Sequence, residues 1–165
     1  MSIFLGLGAN LPGPAGPPRA TLEAALAALE AAGVRVVRCS RWYRSPAWPD
    51  PAEPAYVNAV AEVETGLAAA DLLALLHRIE AKLGRTRGRP NAPRTIDLDL
   101  LDYRGAVAGG ADGGPALPHP RLHQRAFVLL PLAEIAPAWR HPASGRTVGE
   151  LIAALPADAR AEPLD

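Results

Sequence analysis

The ten residues PRTIDLDLLD, at positions 93–102, predict a β-strand with two different faces. Leu98 and Leu100 fall on one face and Asp97 and Asp99 on the other, because successive side chains of a strand alternate sides. Two carboxylates placed in this way lie roughly 6–7 Å apart and can hold hard cations such as Mg²⁺. Like charges on a half-buried strand are destabilising unless cations compensate them. The stretch therefore predicts a metal site, although a bare Asp-x-Asp also fits a solvated edge strand.

Arginines crowd the chain just before this strand. Arg85, Arg87, Arg89 and Arg94 fall within ten residues that contain no acid. Guanidinium groups bind phosphate through paired hydrogen bonds, so arginines next to two carboxylates favour a site for phosphate and metal together. The alternative is an ordinary solvated basic loop.

Composition restricts the function classes. With 165 residues and a formal net charge of zero, the chain predicts a single domain over 1–165 and gives no reason to expect attraction to nucleic acid or to a membrane surface. Cys39 is the only cysteine, which excludes an internal disulfide. The N-terminus has no basic segment followed by a long apolar run, so we expect a soluble, cytoplasmic protein. We also expect a monomer.

The order of predicted elements is β-α-β-β-α-β. Strands are predicted over residues 3–7, 34–43, 56–65 and 95–103, and helices over 22–29 and 68–83, with Gly33 and Gly84 as their stops. This order is typical of the ferredoxin-like α+β fold, a four-stranded antiparallel sheet with both helices on one face. Residues 121–136 and a capping box at Thr147 predict additional C-terminal helices.

Other polar residues fall where such a sheet can gather them. Tyr56 and Asn58 share one face of a strand, and an Asn amide offers a donor and an acceptor to a planar heterocycle, although it also fits a turn. His77 and Glu80 are predicted on the exposed side of the second helix, where a solvated face is the simpler interpretation.

His119 is held between two prolines and is followed by two arginines one helical turn apart, Arg121 and Arg125. This grouping favours contact with phosphate, although a single His is more commonly structural. Phe127 fits either the hydrophobic core or stacking on a flat ligand. The sequence has no glycine-rich phosphate loop of the Walker type, so a nucleotide would depend on arginines and metal.

These motifs, in this order, resemble the 6-hydroxymethyl-7,8-dihydropterin pyrophosphokinase family. The resemblance runs from residue 3 to about 137, which leaves 138–165 as a C-terminal extension. It rests on Gly6-x-Gly8-Ala9-Asn10, Tyr43-Arg44-Ser45-Pro46, Tyr56-x-Asn58-Ala59, Arg78-Ile79-Glu80, the segment from Pro93 to Asp99, and the segment from Pro118 to Phe127. Asn91 stands where members often carry a Trp.

The resemblance implies transfer of pyrophosphate from ATP to the pterin hydroxymethyl group, with two Mg²⁺ ions held by Asp97 and Asp99. It implies catalytic roles for Arg85, Arg87, Arg94, Asp97 and Asp99. It implies a pterin pocket of Ser45, Pro46, Trp48, Tyr56, Asn58 and Phe127. It implies ATP contacts from His77, Glu80, Arg87, Arg94, His119 and Arg125.

Two other functions fit parts of the pattern. A metal-dependent phosphohydrolase or nuclease would use the Asp pair with a third carboxylate. Asp102 is the candidate, although strand alternation points it to the other face unless the strand bulges. A non-catalytic ferredoxin-like ligand-binding module would not need two adjacent carboxylates beside four arginines.

Overall fold

The computed structural model describes residues 1–47, 52, 54–84, 95–111 and 114–164. The helices are α1 (Pro18–Ala31), α2 (Ala69–Lys82), α3 (Ala126–Ile135) and α4 (Val148–Ala153), and a 3-10 turn spans Leu122–Gln124. The strands are β1 (Ile3–Ala9), β2 (Arg35–Cys39), β3 (Tyr43–Ser45), β4 (Tyr56–Glu64), β5 (Asp97–Tyr103), β6 (Ala108–Gly109), β7 (Ala116–Leu117) and β8 (Glu162–Pro163).

The main sheet is antiparallel and has β1 and β4 at its centre. Its order is β5-β1-β4-β3-β8, with β2 also paired to β4. The predicted α+β, ferredoxin-like arrangement is confirmed, but the sheet has six strands rather than the four that the element order predicts. One added strand is β8, which pairs with β3 near the C-terminus.

The other added strand arises because residues 34–43 do not form one continuous strand. Ser40 interrupts the ladder: its hydroxyl accepts a hydrogen bond from the backbone N–H of Val60 and donates one to the carbonyl of Arg41. A side chain that takes over a backbone partner breaks regular pairing. The segment therefore divides into β2 and β3, both of which pair with β4.

Each face of the sheet carries its own hydrophobic cluster. On one face, α1 and α2 pack through Leu22, Leu29, Leu72 and Leu76 against alternate residues of β1, namely Ile3, Leu5 and Leu7. On the other face, α3 and α4 pack through Leu129, Leu132 and Leu151 against Phe4, Val60 and Leu101. The sheet is therefore buried by helices on both sides.

The predicted helix ends are confirmed. Gly33 and Gly84 follow α1 and α2 with φ angles of 87° and 99°, the left-handed region that glycine adopts at helix ends. Thr147 and Glu150 form the predicted capping box at the start of α4, each side chain bonding the other's backbone N–H. Among the described residues, no helix combines the length and the apolar character needed to cross a membrane.

Candidate active site

Four adjacent strands place the residues of the candidate site in one row across the sheet. Asp97 of β5 pairs with Gly8 of β1, Gly8 pairs with Asn58 of β4, and Asn58 pairs with Tyr43 of β3. Paired residues of an antiparallel sheet share a face. Strands lie about 4.8 Å apart, so the backbones at Asp97 and Asn58 are separated by roughly 10 Å across Gly8.

The two faces of β5 are as the sequence predicts. Leu98 and Leu100 are 3% exposed and belong to the cluster with α1 and α2. Asp97 and Asp99 are half-buried and lie on the opposite face, where Asp99 pairs with Gly6. The carboxylates are thus brought together on a partly enclosed face.

Two basic side chains from the segment after β7 approach Asp99. Nη1 of Arg125 lies 3.6 Å from Oδ2 of Asp99, and Nε2 of His119 lies 3.8 Å from Oδ1. The backbone N–H of His119 donates to the carbonyl of Leu101 at 2.8 Å, which ties this segment to β5. The structure therefore brings His119 and Arg125 next to Asp99, and their contact with phosphate stays a prediction.

His119 is neutral at physiological pH. Burial, followed by the charge of Arg125, lowers the pKa of His119 to about 4, although Asp97 acts in the opposite direction. Its Nδ1 accepts a hydrogen bond from the backbone N–H of Arg121 at 3.2 Å. The proton of the neutral ring therefore sits on Nε2, which faces Asp99, and the His119–Asp99 contact is not an ion pair.

A buried pair of polar side chains lies on the other side of Gly8. The Ser45 hydroxyl donates to Oδ1 of Asn58 at 2.7 Å, and the two residues are 2% and 3% exposed. Tyr56 pairs with Ser45, so its side chain begins on the same face. Pro46 follows Ser45 and is exposed.

Phe127 lies in α3, partly buried against the second hydrophobic cluster. The guanidinium carbon of Arg125 lies 5.3 Å from the centre of the Phe127 ring, which is within cation–π range. Phe127 therefore packs on the core and on Arg125.

The placement of Glu80 on an exposed helix face is wrong. His77 is exposed as predicted, but Glu80 is 2% exposed and its carboxylate accepts the backbone N–H of Leu98 at 2.7 Å. Position 80 follows Leu76 by one helical turn and so belongs to the buried stripe of α2. Glu80 thereby satisfies an outward-facing N–H of β5, the edge strand of the sheet, between Asp97 and Asp99.

The β-bulge that would bring Asp102 to the face of Asp97 and Asp99 is present. The register between β1 and β5 shifts between Phe4 and Leu5, which is a β-bulge, and Asp102 pairs with Phe4 of the second cluster. Asp102 is 5% exposed and accepts hydrogen bonds from Trp139 Nε1 at 2.8 Å and Gly105 N–H at 3.0 Å. It is a structural carboxylate.

Two further residues, Asn10 and Gly8, have structural roles at the site that the sequence does not predict. Asn10 is 4% exposed, and its Nδ2 donates to the carbonyl of Pro54, which fixes the chain entering β4 against the end of β1. Gly8 is a close-approach position: a β-carbon there would lie 2.9 Å from Nδ2 of Asn58. In the sequence, the spacing Gly6-x-Gly8, which matches that of Asp97 and Asp99, is the feature that indicates such a position.

Four predicted site residues lie outside the described residues: Trp48, Arg85, Arg87 and Arg94. Asn91 does as well. Their roles stay predictions.

The described site can hold Mg²⁺. Among residues 1–47, 52, 54–84, 95–111 and 114–164, no three His, Cys, Asp or Glu side chains form a metal cage. Mg²⁺ is commonly bound by one or two carboxylates together with substrate phosphates, and Asp97 and Asp99 supply such oxygen donors. The donor chemistry therefore fits Mg²⁺ held jointly with a phosphorylated substrate.

Comparison with known proteins decides the family. A family model described as 7,8-dihydro-6-hydroxymethylpterin-pyrophosphokinase (HPPK) matches residues 4–137. The chain belongs to the HPPK family. As a member, it is an enzyme that transfers pyrophosphate from ATP to the hydroxymethyl group of hydroxymethyldihydropterin in folate synthesis.

Curated HPPK relatives align over most of the chain. A 2-amino-4-hydroxy-6-hydroxymethyldihydropteridine pyrophosphokinase of Synechocystis sp. is 44% identical over 149 residues, which cover 90% of this chain and 73% of the relative. The protein of the same name from Methylorubrum extorquens is 43% identical over 153 residues, which cover 92% of each chain.

Solved HPPK structures share the fold. The wild-type HPPK-DHPS of Plasmodium falciparum with pteroate superposes with a TM-score of 0.67 at 13% identity, over 91% of this chain. This chain spans only 43% of the length of that protein. The likeness supports the fold alone.

Proposed function

We propose that Asp97 and Asp99 hold two Mg²⁺ ions together with the phosphates of ATP in the HPPK reaction. Support comes from the half-burial of both carboxylates on one face of β5 and from the position of Asp97 opposite Gly8 and Asn58. When bound, such ions neutralise phosphate charge and orient the attacking oxygen.

We propose that the pterin occupies the pocket on the Asn58 side of Gly8. Ser45, Pro46, Tyr56 and Asn58 lie at this end of the sheet. Phe127 and Trp48 are assigned to the pocket by the resemblance. The observation that carries this proposal is the row Asp97–Gly8–Asn58, because it leaves only one strand, β1, between the proposed heterocycle-binding amide and the proposed metal carboxylates.

In this arrangement the pterin hydroxymethyl oxygen attacks the β-phosphorus of ATP. The bond from that phosphorus to the oxygen shared with the α-phosphate breaks, AMP leaves with that oxygen, and the hydroxyl proton is released to solvent. Arg125 and the Nε2–H of neutral His119 face Asp99 and would donate to phosphate oxygens arriving there. We assign Arg85, Arg87 and Arg94 to the same phosphates.

The two residues of α2 that are assigned to ATP have different proposed roles. His77 is exposed and remains available to contact ATP directly. The buried Glu80 carboxylate holds the backbone between Asp97 and Asp99, which supports a role in ATP binding through the position of β5. The monomeric state, the cytoplasmic location and the lack of nucleic-acid or membrane partners stay predictions.

The test follows AMP release by purified protein with ATP, Mg²⁺ and 6-hydroxymethyl-7,8-dihydropterin, omitting each in turn. Asp97→Asn and Asp99→Asn should each lower turnover by at least about a hundredfold, since metal charge stabilisation is worth several kcal/mol. Thermal stability should hold or rise, because a like-charge pair is relieved.

The matched control is Asp71→Asn, an exposed acid in the first turn of α2 that should keep wild-type turnover. Near-normal AMP release by either β5 variant would overturn the metal assignment. AMP release that does not depend on the pterin would overturn the pocket assignment.

A further inference from the structure

The strand that separates the two halves of the site has no side chain at the point where they meet. Gly8 lies between Asp97 and Asn58 in the row across the sheet. Its neighbours Leu7 and Ala9 point into the helix-covered core and are 2% and 0% exposed. The glycine therefore presents bare backbone to the site face.

The space above Gly8 is taken by the Asn58 amide. A β-carbon on Gly8 would lie 2.9 Å from Nδ2 of Asn58, a distance that van der Waals repulsion excludes. The next atoms, in Tyr56 and Val57, would be 3.9 Å away, which is ordinary contact. The amide is thus the one group among these neighbours that an added methyl would displace.

The amide has little freedom to move aside. Asn58 is 3% exposed, and its Oδ1 accepts the Ser45 hydroxyl, which is itself 2% exposed. An amide oxygen has two lone pairs and the NH₂ group has two donors. Because Ser45 uses one lone pair, the other lone pair and the NH₂ donors of the amide are held in fixed directions.

We propose that Gly8 is a positioning residue for the pterin: its missing β-carbon lets the Asn58 amide lie across β1, where Ser45 locks its orientation for the heterocycle. This inference rests on the proposed pterin pocket. The determinant it adds is steric and acts through Asn58, so an alanine at position 8 disturbs recognition of the heterocycle rather than the phosphate half of the site.

The strand provides a matched control. Gly6 also faces this side of the sheet, but a β-carbon there would meet Cδ2 of Leu101 at 3.3 Å, the end of an aliphatic side chain. Gly8→Ala and Gly6→Ala thus add the same methyl to the same strand two residues apart. Only the first displaces the amide.

The experiment measures the dissociation constant of 6-hydroxymethyl-7,8-dihydropterin by calorimetry in the presence of a non-hydrolysable ATP analogue and Mg²⁺, together with the KM values for both substrates. Gly8→Ala should weaken pterin binding at least about tenfold, since a misplaced buried amide loses its hydrogen bonds. The KM of Gly8→Ala for ATP should change less than about twofold. The pterin affinity of Gly6→Ala should also change less than about twofold.

A double-mutant cycle with Asn58→Ala isolates the route of the effect. If Gly8 acts through the amide, then Gly8→Ala costs no further pterin affinity in the Asn58→Ala background. Ser45→Ala should weaken pterin binding, and Ser45→Thr, which keeps the hydroxyl, should restore most of it. This pair tests the locked amide even if Gly8→Ala fails to fold.

The outcomes separate the two proposals. This inference alone would be overturned by one combination of results: the wild-type protein turns over, Asn58→Ala binds the pterin more weakly, and Gly8→Ala binds it as tightly as wild type. Equal losses for ATP and pterin, or additive effects in the cycle, would also overturn it. Unchanged pterin binding in Asn58→Ala would instead overturn the pocket assignment on which the inference depends.

Discussion

At the scale of single residues, the site depends on groups that touch backbone as much as on groups that face substrate. Glu80 belongs to α2 but satisfies the backbone N–H of Leu98 in β5, at 2.7 Å. Since Leu98 lies between Asp97 and Asp99, this one contact fixes the backbone from which both carboxylates project. The buried Glu80 carboxylate thus supports the backbone of the two proposed metal-binding carboxylates from the opposite side of β5.

Removing the Glu80 carboxylate should cost stability. Glu80→Ala leaves a buried N–H without its acceptor, and the expected loss in the free energy of unfolding is about 1–3 kcal/mol. Glu80→Gln retains an acceptor oxygen and should lose less. Urea unfolding of both variants, with the Mg²⁺ dependence of turnover, measures the effect.

The control on the same helix is His77→Ala, whose exposed side chain should change the free energy of unfolding by less than about 0.5 kcal/mol. If Glu80→Ala were as stable as His77→Ala, the contact with Leu98 would contribute nothing. In that case Glu80 would have to act on ATP directly.

At the scale of elements, the bulge in β5 decides what the third acid of this strand does. Strict alternation would separate Asp102 from Asp97 and Asp99, and the register shift opposite Phe4 returns it to their face. There it bonds Trp139 and Gly105 and holds the segment before α4 against the sheet. A strand that carries the proposed metal carboxylates at one end thus carries a structural carboxylate at the other.

Asp102→Asn should destabilise the fold without disabling catalysis. The amide keeps one acceptor but turns an NH₂ group towards Trp139 or Gly105, and the expected cost is about 1–3 kcal/mol. Turnover, measured at a temperature where the variant is folded, should stay within about twofold of wild type. Loss of turnover in folded protein would instead revive a hydrolase-like role for a third carboxylate.

The elements also show how far sequence patterns reach. The period-two pattern of residues 95–103 and the apolar stripe of α2 correctly predict which faces are buried, because local alternation determines them. The Ser40 break, the β5 bulge and the pairing of β8 depend on partners distant in sequence, such as Val60, Phe4 and Tyr43. Likewise, no local pattern marks Glu80 as the acceptor of Leu98 N–H.

At the scale of the whole molecule, one carboxylate joins the helix layer of α3 to the sheet. Glu134 of α3 accepts hydrogen bonds from the Arg41 backbone and guanidinium, and from the Tyr43 hydroxyl at 2.7 Å. Although partial burial acts in the opposite direction, the hydrogen bonds from Tyr43 and Arg41 lower the pKa of Glu134. The contacts therefore favour the ionised form and weaken as the pH falls below the ordinary range of a carboxyl group.

The same region should make the free energy of unfolding decrease at alkaline pH. Burial, with a smaller contribution from Glu134, raises the pKa of Cys39 from 9.0 to about 11, and burial followed by the Glu134 hydrogen bond raises the pKa of Tyr43. Between pH 9 and 11 the unfolded chain releases the Cys39 proton that the folded chain retains. Stability should consequently fall with rising pH across this window.

The measurement is the free energy of unfolding by urea at intervals from pH 7 to 11. Because Cys39 is only partly buried, its slope should be a fraction of the roughly 1.4 kcal/mol per pH unit that one retained proton gives. Cys39→Ala should flatten the curve from pH 9, and Tyr43→Phe should flatten it only at higher pH, since tyrosine ionises near pH 10 in the unfolded chain. An unchanged alkaline slope in Cys39→Ala would show that the thiol ionises as readily in the folded protein as in the unfolded one, and would place the alkaline sensitivity elsewhere in the chain.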